Sequence, residues 1–196
     1  TGINGGVGWL ATDVGRQIYF NSGYATITAR TSATVAVATV TTAFTNANAI
    51  AAWQLGSFSD TTGHPSCVTF FEQRLVFAGT TDQPQTIFFS KSGDYENMDE
   101  NIGGTVADDD AMVYTIASNQ VNAIRFMTAT RTLIIGTAGG EFTVSGGGTD
   151  SAVTPTNILI KKQSNHGSAN VDALAVGNAT LFLQRAKRKI RELAYN

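Results

Sequence analysis

The sequence predicts an all-β protein: a small N-terminal β-meander or barrel followed by propeller-like blades of antiparallel strands, an incomplete propeller. Three observations predict it. Helical periodicity is scarce along the whole chain. Short β-branched runs alternate with clusters of Gly, Asn, Asp and Ser, the spacing of strands and turns. Strand–turn–strand segments also recur, starting near Val68, Val121 and Val171, which are 53 and 50 residues apart. That spacing lies near the roughly 40–50 residues of one propeller blade.

Two units follow, residues 1–57 and 58–196. In the first, Ile18-Tyr19-Phe20 and Tyr24 to Ala29 flank Asn21-Ser22-Gly23, a hairpin turn. Thr34 to Thr42 is the next strand. Val35 and Val37 share a face while Val40 falls on the other, so a bulge or a strand buried on both sides is expected. Asn46 to Trp53 is the best candidate for a short helix or turn. In the second unit each repeat holds an apolar strand, a polar turn and a second apolar strand. Further strands are expected at Thr86 to Ser90, Glu141 to Ser145 and Lys189 to Leu193, and one after Ala111. Three blades cannot close a ring, because a propeller needs at least four. A β-sandwich with accidental spacing is the competing architecture.

The 196 residues suffice for a substantial core. Formal net charge is −2, which by itself suggests neither a nucleic-acid nor an anionic membrane partner. Charged residues make up 14% of the chain, against roughly 25% in an average soluble domain. A surface so poor in charge suits a protein much of whose exterior is covered by other subunits. No apolar run approaches the roughly 20 residues of a membrane-spanning helix. Residue 1 is Thr rather than Met, so the chain reads as processed or cut from something longer.

Catalytic and metal chemistry find little support. Cys67 is the single cysteine, expected to be a buried spectator thiol. The two histidines, His64 and His166, lie in Gly-His-Pro and Asn-His-Gly turns. No G-x-S-x-G elbow is present. Asp108-Asp109-Asp110 suits a hard cation by residue type, but its spacing is not that of a Ca²⁺ loop, and a turn-shaping role is favoured. Ser90-Lys91-Ser92-Gly93-Asp94-Tyr95 has the wrong order for the Asp-box of sialidase propellers. No cofactor, metal or catalytic residue is expected, and the chain reads as a non-enzyme.

A set of motifs occurs in order along the chain. It comprises Trp9-Leu10-Ala11-x-Asp13-Val14-Gly15-Arg16, Gly63-His64-Pro65, Phe70-Phe71-x-Gln73-Arg74-Leu75, Phe77-Ala78-Gly79-Thr80 and Ser90-Lys91-x-Gly93-Asp94-Tyr95. Asp108-Asp109-Asp110-Ala111, Ala117-Ser118-x-x-Val121-Asn122-x-Ile124, Leu133-Ile134-Ile135-x-Thr137 and Gly140-Glu141 follow. Gln163-Ser164-x-x-Gly167-Ser168, Leu181-Phe182-x-x-Arg185 and Arg191-Glu192-Leu193-x-Tyr195 end the series. In this wording the chain resembles the tail nozzle proteins of short-tailed bacteriophages, also called tail tubular protein B. His64 and Met98 depart from it, standing where Tyr and Phe are usual. The resemblance implies a structural part of the virion tail, assembled in the host cytoplasm. It implies a ring of copies, a hexamer, that lines the DNA exit channel between an adaptor ring and the distal tail and its fibres. Phage DNA would pass as a non-specific partner, and no membrane partner is implied. The alternative is a propeller or sandwich module that binds carbohydrate or protein.

Charge is segregated along the chain. Arg185, Lys187, Arg188, Lys189 and Arg191 are five of the 13 cationic residues. Asp94, Glu96, Asp99, Glu100, Asp108, Asp109 and Asp110 are seven of the 15 acids. As an extended strand, the basic run would put Arg185, Lys187, Lys189 and Arg191 on one face. A hairpin turn near Lys187 would alter that, and a solvated hairpin tip is the favoured plain reading. Of the two functional readings, contact with DNA phosphates and contact with the acidic segment (Asp94, Glu96, Asp108, Asp109, Asp110) of a neighbouring subunit in a head-to-tail ring, the second is preferred.

Overall fold

A computed structural model describes residues 2–101, 104–117, 122–148 and 151–194. Ser118, Val121 and Tyr195 of the quoted motifs lie outside the described residues. The protein is all-β, with four antiparallel sheets, three of which are simple meanders.

The first sheet has the order β3-β2-β1-β4, from β1 (Gln17–Phe20), β2 (Gly23–Arg30), β3 (Ala36–Thr42) and β4 (Gln54–Leu55). Asn21 and Ser22 both take positive φ (47° and 57°), the backbone that a two-residue hairpin turn demands. The expected bulge is present: the β2–β3 register shifts near Tyr24 and again between Ile27 and Ala29. The sheet is an open one, neither a simple meander nor a barrel: after β3 the chain crosses back and β4 pairs with β1. Asn46 to Trp53 is not a helix. The Asn21 side chain donates to the Asn46 carbonyl (3.2 Å), Thr45 returns to the Asn21 carbonyl, and the segment runs extended beside the hairpin.

Three blades follow. The first is β5 (Cys67–Phe71), β6 (Arg74–Ala78), β7 (Thr86–Phe89) and β8 (Met112–Thr115). The second is β9 (Ile124–Ala129), β10 (Leu133–Thr137), β11 (Gly140–Ser145) and β12 (Leu159–Ser164). The third has three strands, β13 (Leu174–Val176), β14 (Ala179–Leu183) and β15 (Ile190–Ala194). Ala138 and Gly139 form the tight β10–β11 turn, and Gly140 opens β11.

Alternation along the strands decides what each blade buries. Val76, Ala78, Ile87 and Phe89 of the first blade point at Leu133, Ile135, Phe142 and Val144 of the second, and these side chains form one core cluster. The intervening Ile134, with Phe126, points the other way and packs on Phe182 of the third blade. A bulge makes this division possible: the β9–β10 register shifts so that Thr137 pairs with Ile124 and Gly136 with Phe126. Ile124 therefore joins the first cluster and Phe126 the second, although both have the same parity in sequence. Successive blades thus stack face on face, as propeller blades do.

The N-terminal sheet docks on the first blade through the β7–β8 connection. The Met98 amide donates to the Tyr19 hydroxyl (3.3 Å), Gln17 donates to the Glu96 carbonyl (3.2 Å), and Gln54 donates to the Glu100 carboxylate (2.6 Å). Burial pushes the Tyr19 hydroxyl above its usual range and raises the carboxyls of Asp99 and Glu100. Phe58 closes the same junction with its ring edge-on to Phe77 and Phe88.

Candidate interaction surfaces

Several quoted motifs turn out to be internal braces. Arg74 opens β6 and is buried. Its guanidinium donates to the carbonyls of Ser90 (2.7 Å), Asp110 (2.7 Å) and Asp108 (2.6 Å). Lys91 pairs with the carboxylates of Asp109 (3.1 Å) and Asp110 (3.3 Å). Its hydrogen bond to Asp109 raises the Lys91 pKa and lowers that of Asp109. Asp110 is only 5% exposed and also accepts from the Ala107 amide (2.8 Å). The aspartate run therefore anchors the β7–β8 connection to β6, in line with a turn-shaping role. Of the acidic residues expected to face a neighbour, Asp110 is buried and Asp109 is already paired, so neither supplies free surface charge. Asp94, Glu96 and Asp108 remain exposed.

A second brace joins blades two and three. Glu141 is fully buried and accepts from the hydroxyls of Ser168 (2.7 Å) and Ser164. Between those serines, Gly167 turns with φ +69°, and its carbonyl accepts from the Arg185 amide (2.8 Å). A Cβ at Gly167 would lie 2.4 Å from the Ala138 carbonyl oxygen. Gly167→Ala should therefore cost about 2 kcal/mol through combined strain and overlap, read as a lowered urea midpoint. A third brace lies in the N-terminal sheet, where buried Asp13 pairs with Arg16 (3.0 Å) and accepts from the Leu10 amide (2.7 Å).

The basic run takes the form of a hairpin turn near Lys187 rather than of one extended strand. Residues 184–189 form the β14–β15 turn, with the Gln184 amide donating to the Lys189 carbonyl (2.9 Å) and Lys187 at φ 57°. Only Ile190–Ala194 is strand, so Arg185, Lys187, Lys189 and Arg191 do not form one face. Arg185 donates to the Ala138 carbonyl (3.3 Å) and Arg191 donates to the Gln184 side-chain carbonyl (3.2 Å). Lys187, Arg188 and Lys189 project from the turn, exposed and outside every ion pair among the described residues.

Apolar surface lies beside both charged regions. On the third blade, Leu174 is 64% and Ile190 73% exposed; on β5, Val68 is 60% and Phe70 59% exposed. The Tyr95 ring stands edge-on to Phe70, between exposed Asp94 and Glu96. Composition and periodicity alone did not flag these faces, because an apolar strand reads the same whether or not its partner is present.

Clefts open between these elements. One of about 220 Å³ lies between the N-terminal sheet and the first blade, lined by Tyr19, Phe58, Phe88 and Met98 among others. A polar one of about 640 Å³ runs past Glu72, Arg131, Gly147 and Lys161. Both histidines are exposed, and His64 pairs with Asp60 (3.1 Å) at the surface. Cys67 is half-buried and burial pushes its thiol upward, away from thiolate reactivity. Among the described residues, no group of three or more His, Cys, Asp or Glu side chains could hold a metal ion. Among them, too, no helix is long and apolar enough to cross a membrane. No protein-family model matches this chain, and no curated protein sequence matches it.

Proposed function

We propose that this chain is a non-enzymatic structural part of a short-tailed phage tail, a section of the nozzle ring around the DNA exit channel. One observation carries the reading. The residues through which the sequence resembles the nozzle proteins include those that brace this fold: Asp13 with Arg16, Arg74 with Ser90, Lys91 and the aspartate run, and Glu141 with Ser164 and Ser168. Residues of that kind fix an architecture, which supports reading the resemblance as one of fold rather than of surface composition. Stacked sheets, cross-linked by backbone hydrogen bonds, form a stiff wall suited to a channel. In this reading the partners are other copies of the chain, an adaptor ring, the distal tail with its fibres, and transiting DNA. The protein would sit in the virion tail after assembly in the host cytoplasm.

The test is electron microscopy of the full-length protein, expected to show rings with a central hole. A monodisperse monomer at every concentration would overturn the reading. Selective glycan-array binding by this chain would favour the alternative, a carbohydrate-binding module. Turnover of glycosides or peptidoglycan would contradict the non-enzymatic assignment.

A further inference from the structure

Among the described residues, the stacking of the blades leaves two blade faces open. Blade one gives its Val76–Phe89 face to blade two, and blade two gives Phe126 and Ile134 to blade three. Blade three then presents Leu174, Val176, Leu181, Leu183 and Ile190 on the far side, linked by the pairs Leu174↔Leu181, Val176↔Ala179 and Leu183↔Ile190. At the other end, blade one is covered over Phe77 and Phe88 by Phe58, but β5 keeps Val68 and Phe70 in solvent. Both are apolar blade sides, at opposite ends of the same stack.

Charge selects the pairing. The open side of blade three borders the unpaired Lys187, Arg188 and Lys189, whereas Val68 and Phe70 border Tyr95 and the unpaired Asp94 and Glu96. Glu192 is the single acid on the strand face of blade three, beside Leu181. We infer that blade three and its basic turn dock on β5 and the Asp94–Glu96 segment of a second copy of this chain, head to tail. The two patches differ, so the contact is heterologous and propagates until rotation closes it into a ring. This inference rests on the ring reading and names its contact. Like-charged partners would be rejected by the same residues.

The test uses this chain with Cys67→Ser, carrying Phe70→Cys and Leu174→Cys together or singly. Oxidation of the double variant is expected to give a ladder of cross-linked oligomers, while each single variant stays uncross-linked and the mixed singles give a hetero-dimer. A double variant that yields no ladder, or Leu174→Cys dimers formed as readily alone as in the mixture, would overturn the contact. Reversal of Lys187, Arg188 and Lys189 to Glu should weaken self-association by about tenfold, and Asp94→Lys with Glu96→Lys in the second copy should restore it. Self-association unchanged by reversal, with loss of binding to duplex DNA instead, would assign the turn to phosphates and remove the contact. Full-length rings that survive these variants would remove this contact and leave the ring reading intact. A wild-type full-length protein that forms no rings would remove the ring reading itself.

Discussion

Arg74→Ala should lower the unfolding free energy by about 3–4 kcal/mol, one of the largest effects expected of any single substitution in this chain. The guanidinium is buried and is the hydrogen-bond donor for three carbonyls that lie 16 to 36 positions away in sequence. Burial works against its charge and lowers its pKa, while the nearby carboxylates of Asp109, Glu72, Asp110 and Asp108 oppose that loss. Alanine would remove the donor and leave the Ser90, Asp108 and Asp110 carbonyls to find water inside a closed turn. Hydrogen bonds from a charged donor contribute about 1.5–3 kcal/mol each, and an orphaned buried acceptor adds its own desolvation cost. Arg74→Lys keeps the charge without the planar fork, so it should recover less than half of the loss. Urea denaturation followed by circular dichroism measures both. A midpoint for Arg74→Ala within error of wild type would show that the carbonyls are satisfied some other way. The same variant should loosen the Asp108–Ala111 segment, seen as faster amide exchange there than in β10.

The strands were legible because alternation and turn chemistry are local. Asn21-Ser22-Gly23 can only be a tight turn, and Leu133-Ile134-Ile135 followed by Gly139-Gly140 reads directly as strand and hairpin. The elements that escaped depend on distant partners. Asn46 to Trp53 is rich in alanine and would suit a helix by propensity, yet the Asn21 side chain holds it extended from 25 positions away. Leu159–Ser164 was not expected as a strand, since Lys161 and Lys162 interrupt its apolar character; it is an edge strand whose lysines face solvent. The aspartate run misled by its side chains, because what Arg74 reads there is backbone. Glu141 reads as a surface residue, and only the approach of Ser164 and Ser168 makes its burial possible. Charge segregation was visible from sequence, but the sorting of those charges into braces and free surface required the fold: Lys91 takes Asp109 and Asp110 inward, which leaves Asp94, Glu96 and Asp108 as the exposed acids of the expected set.

Phe126→Ala should cost about 3–5 kcal/mol and should act unevenly, releasing blade three before the rest of the molecule. The first core cluster contains thirteen buried side chains among the described residues; the one beneath blade three contains three, Phe126, Ile134 and Phe182. Removal of one ring from three takes away much of what ties β13–β15 to the second blade, whereas the first cluster does not include it. Native-state hydrogen exchange should therefore show β14 and β15 opening at lower free energy than β10 even in the wild type, with the gap widening in Phe126→Ala. Gly136 supplies a second check. It pairs with Phe126, and a Cβ there would sit 2.0 Å from the Phe126 ring, so Gly136→Ala in the wild-type background overpacks the site and should destabilise by about 1–3 kcal/mol. In the Phe126→Ala background the space is empty, and the same alanine should cost far less or become neutral. The double-mutant cycle should thus return a favourable coupling of about 1–3 kcal/mol between two positions that face each other across β9 and β10. Additive effects in that cycle, or equal protection in blades two and three, would mean that the ring does not hold the last blade in place.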